Sequence, residues 1–89
     1  MPSDPNTADL IKKRISAFGS QRFGFSRTEI RILTLMCFGN STVQIAEQLR
    51  VAPATVSAHI RSMFKKSRVR TRVELISRTF LELLSEDMS

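Results

Sequence analysis

Side chains able to bind a polyanion are concentrated in one short stretch of this sequence. Residues 50–72 carry seven cations and no acid: Arg50, Arg61, Lys65, Lys66, Arg68, Arg70 and Arg72. Such a cluster usually binds nucleic acid or, as a second choice, an anionic membrane surface; a solvated basic face is the alternative that needs no partner. The net charge of +6 on 89 residues agrees with this pattern. We expect a nucleic-acid partner.

Within this stretch, the segment 53–67 has the spacing of an amphipathic helix. Its apolar side chains recur at i, i+4, i+7 and i+8: Val56, Ile60, Met63 and Phe64. The opposite face begins with small side chains and continues with cations: Ala54, Ala58, Arg61, Ser62 and Lys65, flanked by Thr55 and Ser57. A helix enters the DNA major groove when the side chains that face the bases permit close approach or hydrogen-bond base edges.

Four residues of this helix are predicted to contact base edges: Ser57, Ala58, Arg61 and Ser62. Arg61 is the main one, because a guanidinium group donates two hydrogen bonds to O6 and N7 of a guanine. The methyl group of Ala58 packs against a thymine methyl group or permits close approach. The two serines reach nearby base edges or bridging water.

Local capping signals predict the helices that must position these residues. Three segments have the Ser/Thr-x-x-Glu/Gln pattern of a capping box: Ser26–Glu29, Ser41–Gln44 and Thr71–Glu74. The first box predicts a helix that runs to Phe38, where Gly39 supplies a left-handed stop. The other two boxes predict helices over about 43–50 and 72–84.

The N-terminal segment, residues 1–24, is expected to contain a further helix. A shared apolar face predicts that this helix runs to about residue 18: Leu10, Ile11, Ile15 and Phe18. Gly19 is expected to end it. Two origins remain open for the helix, which either packs on the following domain, residues 25–89, or is the tail of a linker.

The last helix, 72–84, has apolar residues on more than one face. One stripe is expected to close the core: Val73, Ile76, Phe80 and Leu84. Leu75 and Leu81 lie off that stripe, and we predict that they form a dimerisation contact. Scattered exposed leucines, which are common on monomers, are the alternative.

Two helices joined by a short turn, the second with a small and basic face, indicate a helix-turn-helix. The stretch from Phe25 to Ile76 resembles the LuxR/GerE-type helix-turn-helix DNA-binding domain, most specifically in "IAEQL", "ATVSAHI" and "TRVEL". The resemblance implies an all-α, four-helix helix-turn-helix domain, to which this chain adds an N-terminal helix. It further implies a scaffold helix at 43–50, a recognition helix at 53–67 and a dimerisation helix at 72–84.

The resemblance also implies a function. The chain is expected to regulate transcription by binding double-stranded DNA as a homodimer in the cytoplasm, with RNA polymerase as a further partner and no cofactor. His59 stands at the family's histidine position, where a structural or phosphate-side role is expected. With the basic tract, the residues predicted to contact the DNA backbone are Thr42, Thr55, His59, Lys65, Lys66 and Arg68.

Five positions depart from the family's usual pattern: Thr28, Val43, Arg50, Ala52 and Ser57. Arg50 stands where glycine is frequent, and a left-handed turn there costs about 1–2 kcal/mol. Val43 and Ser57 replace basic residues that would contact phosphate or enter the groove, which indicates a different preferred base sequence. Ala52 replaces a capping serine before Pro53, an omission worth about 1 kcal/mol.

The composition argues against an enzyme, a metal site and a membrane span. The chain has one histidine, His59, and one cysteine, Cys37, whereas a zinc site needs about four ligands. It lacks a Ser–His–acid set, a Gly-rich phosphate loop and a carboxylate pair. The longest apolar run, 35–38, is far too short to span a membrane. Cys37 is expected in the core, and a lone cysteine fits a reducing cytoplasm.

Two other functions remain open. A promoter-recognising fragment of a sigma factor has a similar four-helix head, but "TRVEL" at the start of a further long helix favours the regulator. A protein-interaction domain that has lost DNA binding also remains, because of the departures at Val43 and Ser57. Selection of bound sequences from a random duplex pool separates these functions.

Overall fold

The structure, a computed structural model, describes the backbone of residues 5–88 and the side chains of residues 6–85. Within this range the chain forms five α-helices and one π-helical turn: α1 (Pro5–Phe18), the π-helical turn (Gly19–Phe23), α2 (Arg27–Cys37), α3 (Thr42–Leu49), α4 (Pro53–Ser67) and α5 (Arg72–Met88). The prediction of an all-α, four-helix domain with an added N-terminal helix is confirmed. No helix in residues 5–88 has the length and apolar content needed to cross a membrane.

Capping boxes begin α2 and α3, as the sequence predicts. Ser26 Oγ accepts a hydrogen bond from Glu29 N–H at 3.2 Å, and Glu29 Oε1 accepts one from Ser26 N–H at 2.8 Å. Ser41 and Gln44 make the same pair of bonds, at 3.2 Å and 2.8 Å. Because each bond joins residues only three positions apart, the local sequence is sufficient to place these helix starts.

The start of α5 differs from the third predicted capping box. Thr71 Oγ1 accepts a hydrogen bond from Glu74 N–H at 3.0 Å, as expected. The carboxylate of Glu74, however, accepts from Arg70 N–H at 3.1 Å, one residue before the expected donor. Glu74 therefore stabilises the turn that precedes α5 as well as the helix itself.

One contiguous core unites the five helices. Its buried members are Ile15, Phe25, Ile32, Leu33, Met36, Ile45, Ala46, Val56, Ile60, Met63, Val69, Leu75 and Leu83. The predicted inward stripe of α4 is confirmed, because Val56, Ile60 and Met63 are buried and Phe64 packs against them. This packing holds the opposite face of α4 towards solvent.

Helix α1 packs on the domain. Ile15 is fully buried in the shared core, although Leu10, expected on the same face, is exposed. The expected end of the helix is confirmed, because α1 ends at Phe18. The buried Gly19 then begins the π-helical turn, and the left-handed residue that closes this turn is Gly24, with a φ of 68°. A Cβ atom on Gly19 would lie 3.2 Å from Phe25 Cδ2, so the absent side chain permits close packing.

The inward face of α5 is not the one that the apolar pattern predicts. Leu75, Thr79 and Leu83 are buried, and the Thr79 hydroxyl donates to the Leu75 carbonyl at 2.8 Å. Three residues predicted to face the core are exposed: Val73 by 73%, Phe80 by 37% and Leu84 by 57%. The prediction that Leu75 is a dimer contact is therefore wrong. A threonine in the buried stripe concealed the correct face, because its internal hydrogen bond removes the cost of burying it.

Candidate nucleic-acid interface

Helices α3 and α4 pack against each other across a short turn, 50–52. Ile45 and Ala46 of α3 are buried in the core that α3 shares with α4. Val51 N–H donates to the Ala46 carbonyl at 3.0 Å and closes the end of α3. Arg50 adopts the predicted left-handed conformation, with φ 59° and ψ 45°. The two helices have the arrangement in which the second helix of a helix-turn-helix is available to DNA.

The side of α4 that points away from the core is open along its length. We define the α4 outer face as the exposed residues on this side: Ala54, Thr55, Ala58, Arg61 and Lys65. Ser57 is half-buried at its edge. The helix contains no acidic residue, so its outer face has no negative charge of its own to repel a phosphate backbone.

Ser62, predicted to contact bases, is half-buried on α4. Its hydroxyl hydrogen-bonds the carboxylate of Glu29 in the first turn of α2. Lys66 binds the same carboxylate, with Nζ 2.7 Å from Oε1. Ser62 therefore has an acceptor within the protein, and its contact with bases stays a prediction. Lys66, expected to bind a phosphate, is held by a carboxylate of the protein, because tertiary packing brings α2 to this side of α4.

Glu29 is a buried carboxylate with several hydrogen-bond donors around it. Burial raises its pKa, but hydrogen bonds from Lys66, from Ser26 N–H and from Ser62 outweigh that effect and lower the pKa below its usual value. Glu29 is therefore ionised at neutral pH and links α2 to α4. The sequence identifies Glu29 as a capping residue only, because no local pattern connects it with Lys66.

Arg72 joins the start of α5 to the start of α3. Its guanidinium donates to Thr42 Oγ1 and to the Asn40 carbonyl, the latter at 3.1 Å. Thr42, predicted to contact the DNA backbone, is half-buried and already accepts this bond, whereas Val43 beside it is exposed. Sequence reasoning missed the role of Arg72, since about 30 residues separate it from its partners in the chain.

Arg78 of α5 holds the C-terminal end of α4. Its Nη1 atom donates to the Ser67 carbonyl at 2.9 Å, and its guanidinium carbon lies 5.2 Å from the centroid of the Phe23 ring. The last carbonyl groups of a helix lack partners within the helix, and a cation there is favourable. Contacts from α2 and α5 thus fix the orientation of α4 near its C-terminal end.

Five cations of the basic tract have side chains without a protein partner among the described residues: Arg50, Arg61, Lys65, Arg68 and Arg70. All five are exposed. They include Lys65 and Arg68, both predicted to contact phosphates. An exposed cation that makes no internal ion pair keeps its full charge for an external anion.

His59 and Cys37 are the remaining side chains that could act as a nucleophile or a metal ligand. His59 is half-buried on α4. Cys37 is half-buried and packs against the core, and desolvation raises the pKa of its thiol to about 12. The thiol is therefore protonated at neutral pH, which makes it a poor nucleophile. Within residues 5–88, no three His, Cys, Asp or Glu side chains converge as a metal site requires.

Helix α5 presents a second exposed surface, and this one is apolar. We define the α5 outer face by its four exposed members: Val73, Phe80, Leu81 and Leu84. Val73, Phe80 and Leu84 follow one line along the helix, at i, i+7 and i+11, with Ser77 between them at i+4. Three of the four exposed members therefore lie on one line along the helix, and Leu81 lies beside that line.

Comparison with known proteins matches residues 24–79 of the chain to one protein family. The family described as "Bacterial regulatory proteins, luxR family" matches residues 24–79. The monoamine regulon transcriptional regulator of Klebsiella aerogenes is 40% identical over 53 residues, which make up 60% of this chain and 23% of that relative. The chain thus matches less than a quarter of the length of that protein. A search of solved structures gave no significant match.

Proposed function

Because the chain belongs to the LuxR family of bacterial regulatory proteins, we propose that it binds double-stranded DNA sequence-specifically and regulates transcription. The α4 outer face carries this proposal: its first residues are small, Arg61 and Lys65 follow them, and α4 has no acid. A major groove accepts a helix with such a face. The function places the protein in the cytoplasm, with RNA polymerase as a further partner.

Base recognition is assigned to the middle of the α4 outer face. Ala58 is exposed and small, so its backbone approaches the base edges closely and its methyl group can meet that of a thymine. Arg61, one turn further on, has five donors and no protein acceptor among the described residues. Arg61 is therefore the main base-reading residue, and Ser57 contributes at the edge of the face.

Backbone contacts are assigned to the residues around that centre. Lys65 and Arg68 are exposed cations without internal partners, and Thr55 is exposed at the first turn of α4. His59 and Thr42 are half-buried and contribute at the margin. Each phosphate neutralised by a cation releases counterions, so the logarithm of the binding constant falls with the logarithm of salt concentration by about 0.9 per contact.

A second copy of the chain is assigned to the α5 outer face. Val73, Phe80 and Leu84 have the spacing of a coiled-coil seam, in which apolar positions alternate by three and four residues. From Val73 to Leu84 the stripe is about 16 Å long at the α-helical rise of 1.5 Å per residue. Two α5 helices packed along this stripe bury apolar side chains that a monomer exposes to water.

The proposal is tested by selecting bound sequences from a random pool of duplexes. We expect enrichment of a palindrome with half-sites about 10 bp apart, since two protomers then bind one face of the DNA. The Arg61→Ala variant is then compared with wild type on the selected duplex and on a scrambled one. The expected loss is about 1–3 kcal/mol on the selected site, with a much smaller loss on scrambled DNA.

Arg31→Ala is the matched control. Arg31 is an exposed arginine on α2 that lines a groove formed with α1 and α3 and is not a member of the α4 outer face. Its loss removes the same charge, and we expect it to leave base preference intact. An unchanged ratio of selected to scrambled affinity in Arg61→Ala would move Arg61 to the backbone contacts. Failure of the wild type to bind any duplex would instead favour a protein-interaction domain on this fold.

A further inference from the structure

Helix α4 is bracketed by two arginines in the left-handed conformation. Arg50 ends α3 with φ 59° and ψ 45°, and Arg68 ends α4 with φ 59° and ψ 34°. Among the described residues these are the two non-glycine positions with positive φ; the others are Gly24 and Gly39. The chain therefore uses glycine at two left-handed positions and arginine at the two that flank α4.

The backbone at both arginines has no need of a side chain. Arg50 N–H donates to the Glu47 carbonyl at 3.3 Å, and Arg68 N–H donates to the Phe64 carbonyl. Both are ordinary helix-ending bonds, which glycine makes with less strain because it has no Cβ atom. Glycine would therefore give less backbone strain than arginine at both turns.

The two side chains also make no hydrogen bond or salt bridge within the described residues that would offset the backbone strain. Both are exposed, and neither guanidinium has a hydrogen-bond or salt-bridge partner among the described residues. A strained backbone that persists without an internal reason points to a function outside the fold. The chemistry on offer is a pair of permanent cations, each with a planar set of donors that suits phosphate.

The two arginines lie at opposite ends of α4. Arg50 lies three residues before the first residue of α4, and Arg68 follows its last residue. The 15 residues of α4 span about 22 Å at 1.5 Å per residue, whereas the major groove is about 12 Å wide. A recognition helix in that groove therefore carries both of its ends past the bases and towards the phosphates that line the groove.

We propose that Arg50 is a DNA-phosphate-binding residue that acts with Arg68 as a pair of clamps at the two ends of α4. This inference rests on the proposed function and assigns Arg50 a role that the resemblance does not supply. The left-handed turns hold the two cations beside the recognition helix, at some expense in stability. Glycine at either position would improve the fold and weaken DNA binding.

The test replaces each arginine by glycine and measures stability and binding separately. Arg50→Gly and Arg68→Gly are each expected to raise Tm, by about 4–8 °C, since the strain of a left-handed non-glycine residue is removed. Each is expected to weaken binding to the selected duplex about five- to tenfold at 0.1 M salt and to reduce the salt slope by about 0.9. The double variant should lose about twice that slope.

Two further variants separate charge from backbone effects. Arg50→Lys keeps a cation and the left-handed residue, so it should bind within about threefold of wild type with an unchanged Tm. Arg31→Ala loses one charge elsewhere and should keep the slope. The inference is overturned if wild type binds with a normal salt slope and Arg50→Gly keeps both affinity and slope. It falls together with the proposed function if wild type binds no duplex.

Discussion

The Nζ atom of Lys66, at the end of α4, lies 2.7 Å from Oε1 of Glu29, at the start of α2. The side chain of Glu29 is 4% exposed and that of Lys66 is 39% exposed, so the pair joins a buried carboxylate to a partly solvated cation. The same carboxylate accepts hydrogen bonds from Ser26 N–H and Ser62. This relationship joins the C-terminal end of α4 to the start of α2 and distinguishes Lys66 from its neighbour Lys65.

The two adjacent lysines should therefore respond differently to removal. Lys66→Ala leaves the buried carboxylate of Glu29 without its main cation, and we expect it to lower the free energy of unfolding by about 1–3 kcal/mol. Lys65→Ala removes an exposed cation with no internal partner, so its effect should stay within about 0.5 kcal/mol. Urea unfolding followed by circular dichroism measures both. Equal effects of the two variants would contradict the assignment of Lys66 to Glu29.

For DNA binding, in contrast to stability, Lys65→Ala should have the larger effect of the two lysine substitutions. Lys65→Ala should weaken binding to every duplex to a similar extent and reduce the salt slope by about 0.9, because a phosphate contact is lost. Lys66→Ala should change the slope by less than Lys65→Ala, since its cation is already paired with Glu29. Titrations by fluorescence anisotropy at several salt concentrations provide the slopes, and a larger slope change for Lys66→Ala would count against this division of roles.

The lowered pKa of Glu29 predicts a specific acid dependence of stability. In the unfolded chain this carboxyl has a pKa near 4.5, and in the fold its pKa is lower. The ionised form thus stabilises the fold above the unfolded pKa, and that contribution is lost as pH falls through the folded pKa. The difference in unfolding free energy between wild type and Glu29→Gln should be constant from about pH 7 to pH 5 and shrink below about pH 4.5. A constant difference down to pH 3 would show that the pKa of Glu29 is not lowered.

The α5 outer face predicts the oligomeric state. Leu81→Glu and Leu84→Glu should each convert a dimer into a monomer without loss of helical content, because a carboxylate on the seam opposes burial. Both should abolish binding to a two-part site. Leu10→Glu, which changes an exposed leucine on α1, is the matched control and should stay dimeric. Sedimentation is the measurement, and a wild-type monomer that binds one half-site with full affinity would refute the dimer.

The docking of α1 predicts a stability effect outside the helix-turn-helix. Ile15 is fully buried, whereas Leu10 on the same helix is 52% exposed. Ile15→Ala should therefore lower the free energy of unfolding by about 2–5 kcal/mol, and Leu10→Ala by no more than about 0.5 kcal/mol. Thermal or urea unfolding compares the two. A similar, small effect of both substitutions would show that α1 does not share the core in solution.

Much of the helical framework follows from the sequence. The starts of α2 and α3 depend on bonds between residues three positions apart, such as Ser26 with Glu29, and the inward face of α4 depends on apolar residues within two turns of one another. The left-handed residue at Arg50 follows from its place at the end of α3. The α4 outer face, including Ala58 and Arg61, can be predicted as well, because those side chains lie opposite the buried stripe.

Other features depend on distant parts of the chain. The sequence places leucines on both sides of α5, and only packing against α1 and α2 selects Leu75 over Leu84 for the core. The π-helical turn that begins at Gly19, directly after α1, likewise depends on space left beside Phe25. Hydrophobic periodicity does not identify the buried face of a helix such as α5, in which both faces carry apolar residues. A glycine such as Gly19 does not interrupt helical backbone where tertiary packing favours that backbone.

The sequence by itself therefore determined the helices, the capping of α2 and α3, and the charge of the α4 outer face. Each of these is set by interactions within a few residues of chain. The tertiary structure decided which cations of that surface are available. It pairs Lys66 with Glu29 and engages Arg72 with Thr42, while Arg61 and Lys65 stay exposed. The physical reason is that hydrogen bonds and ion pairs form between groups that are close in space, and separations of 30 and 37 residues leave no trace in local spacing.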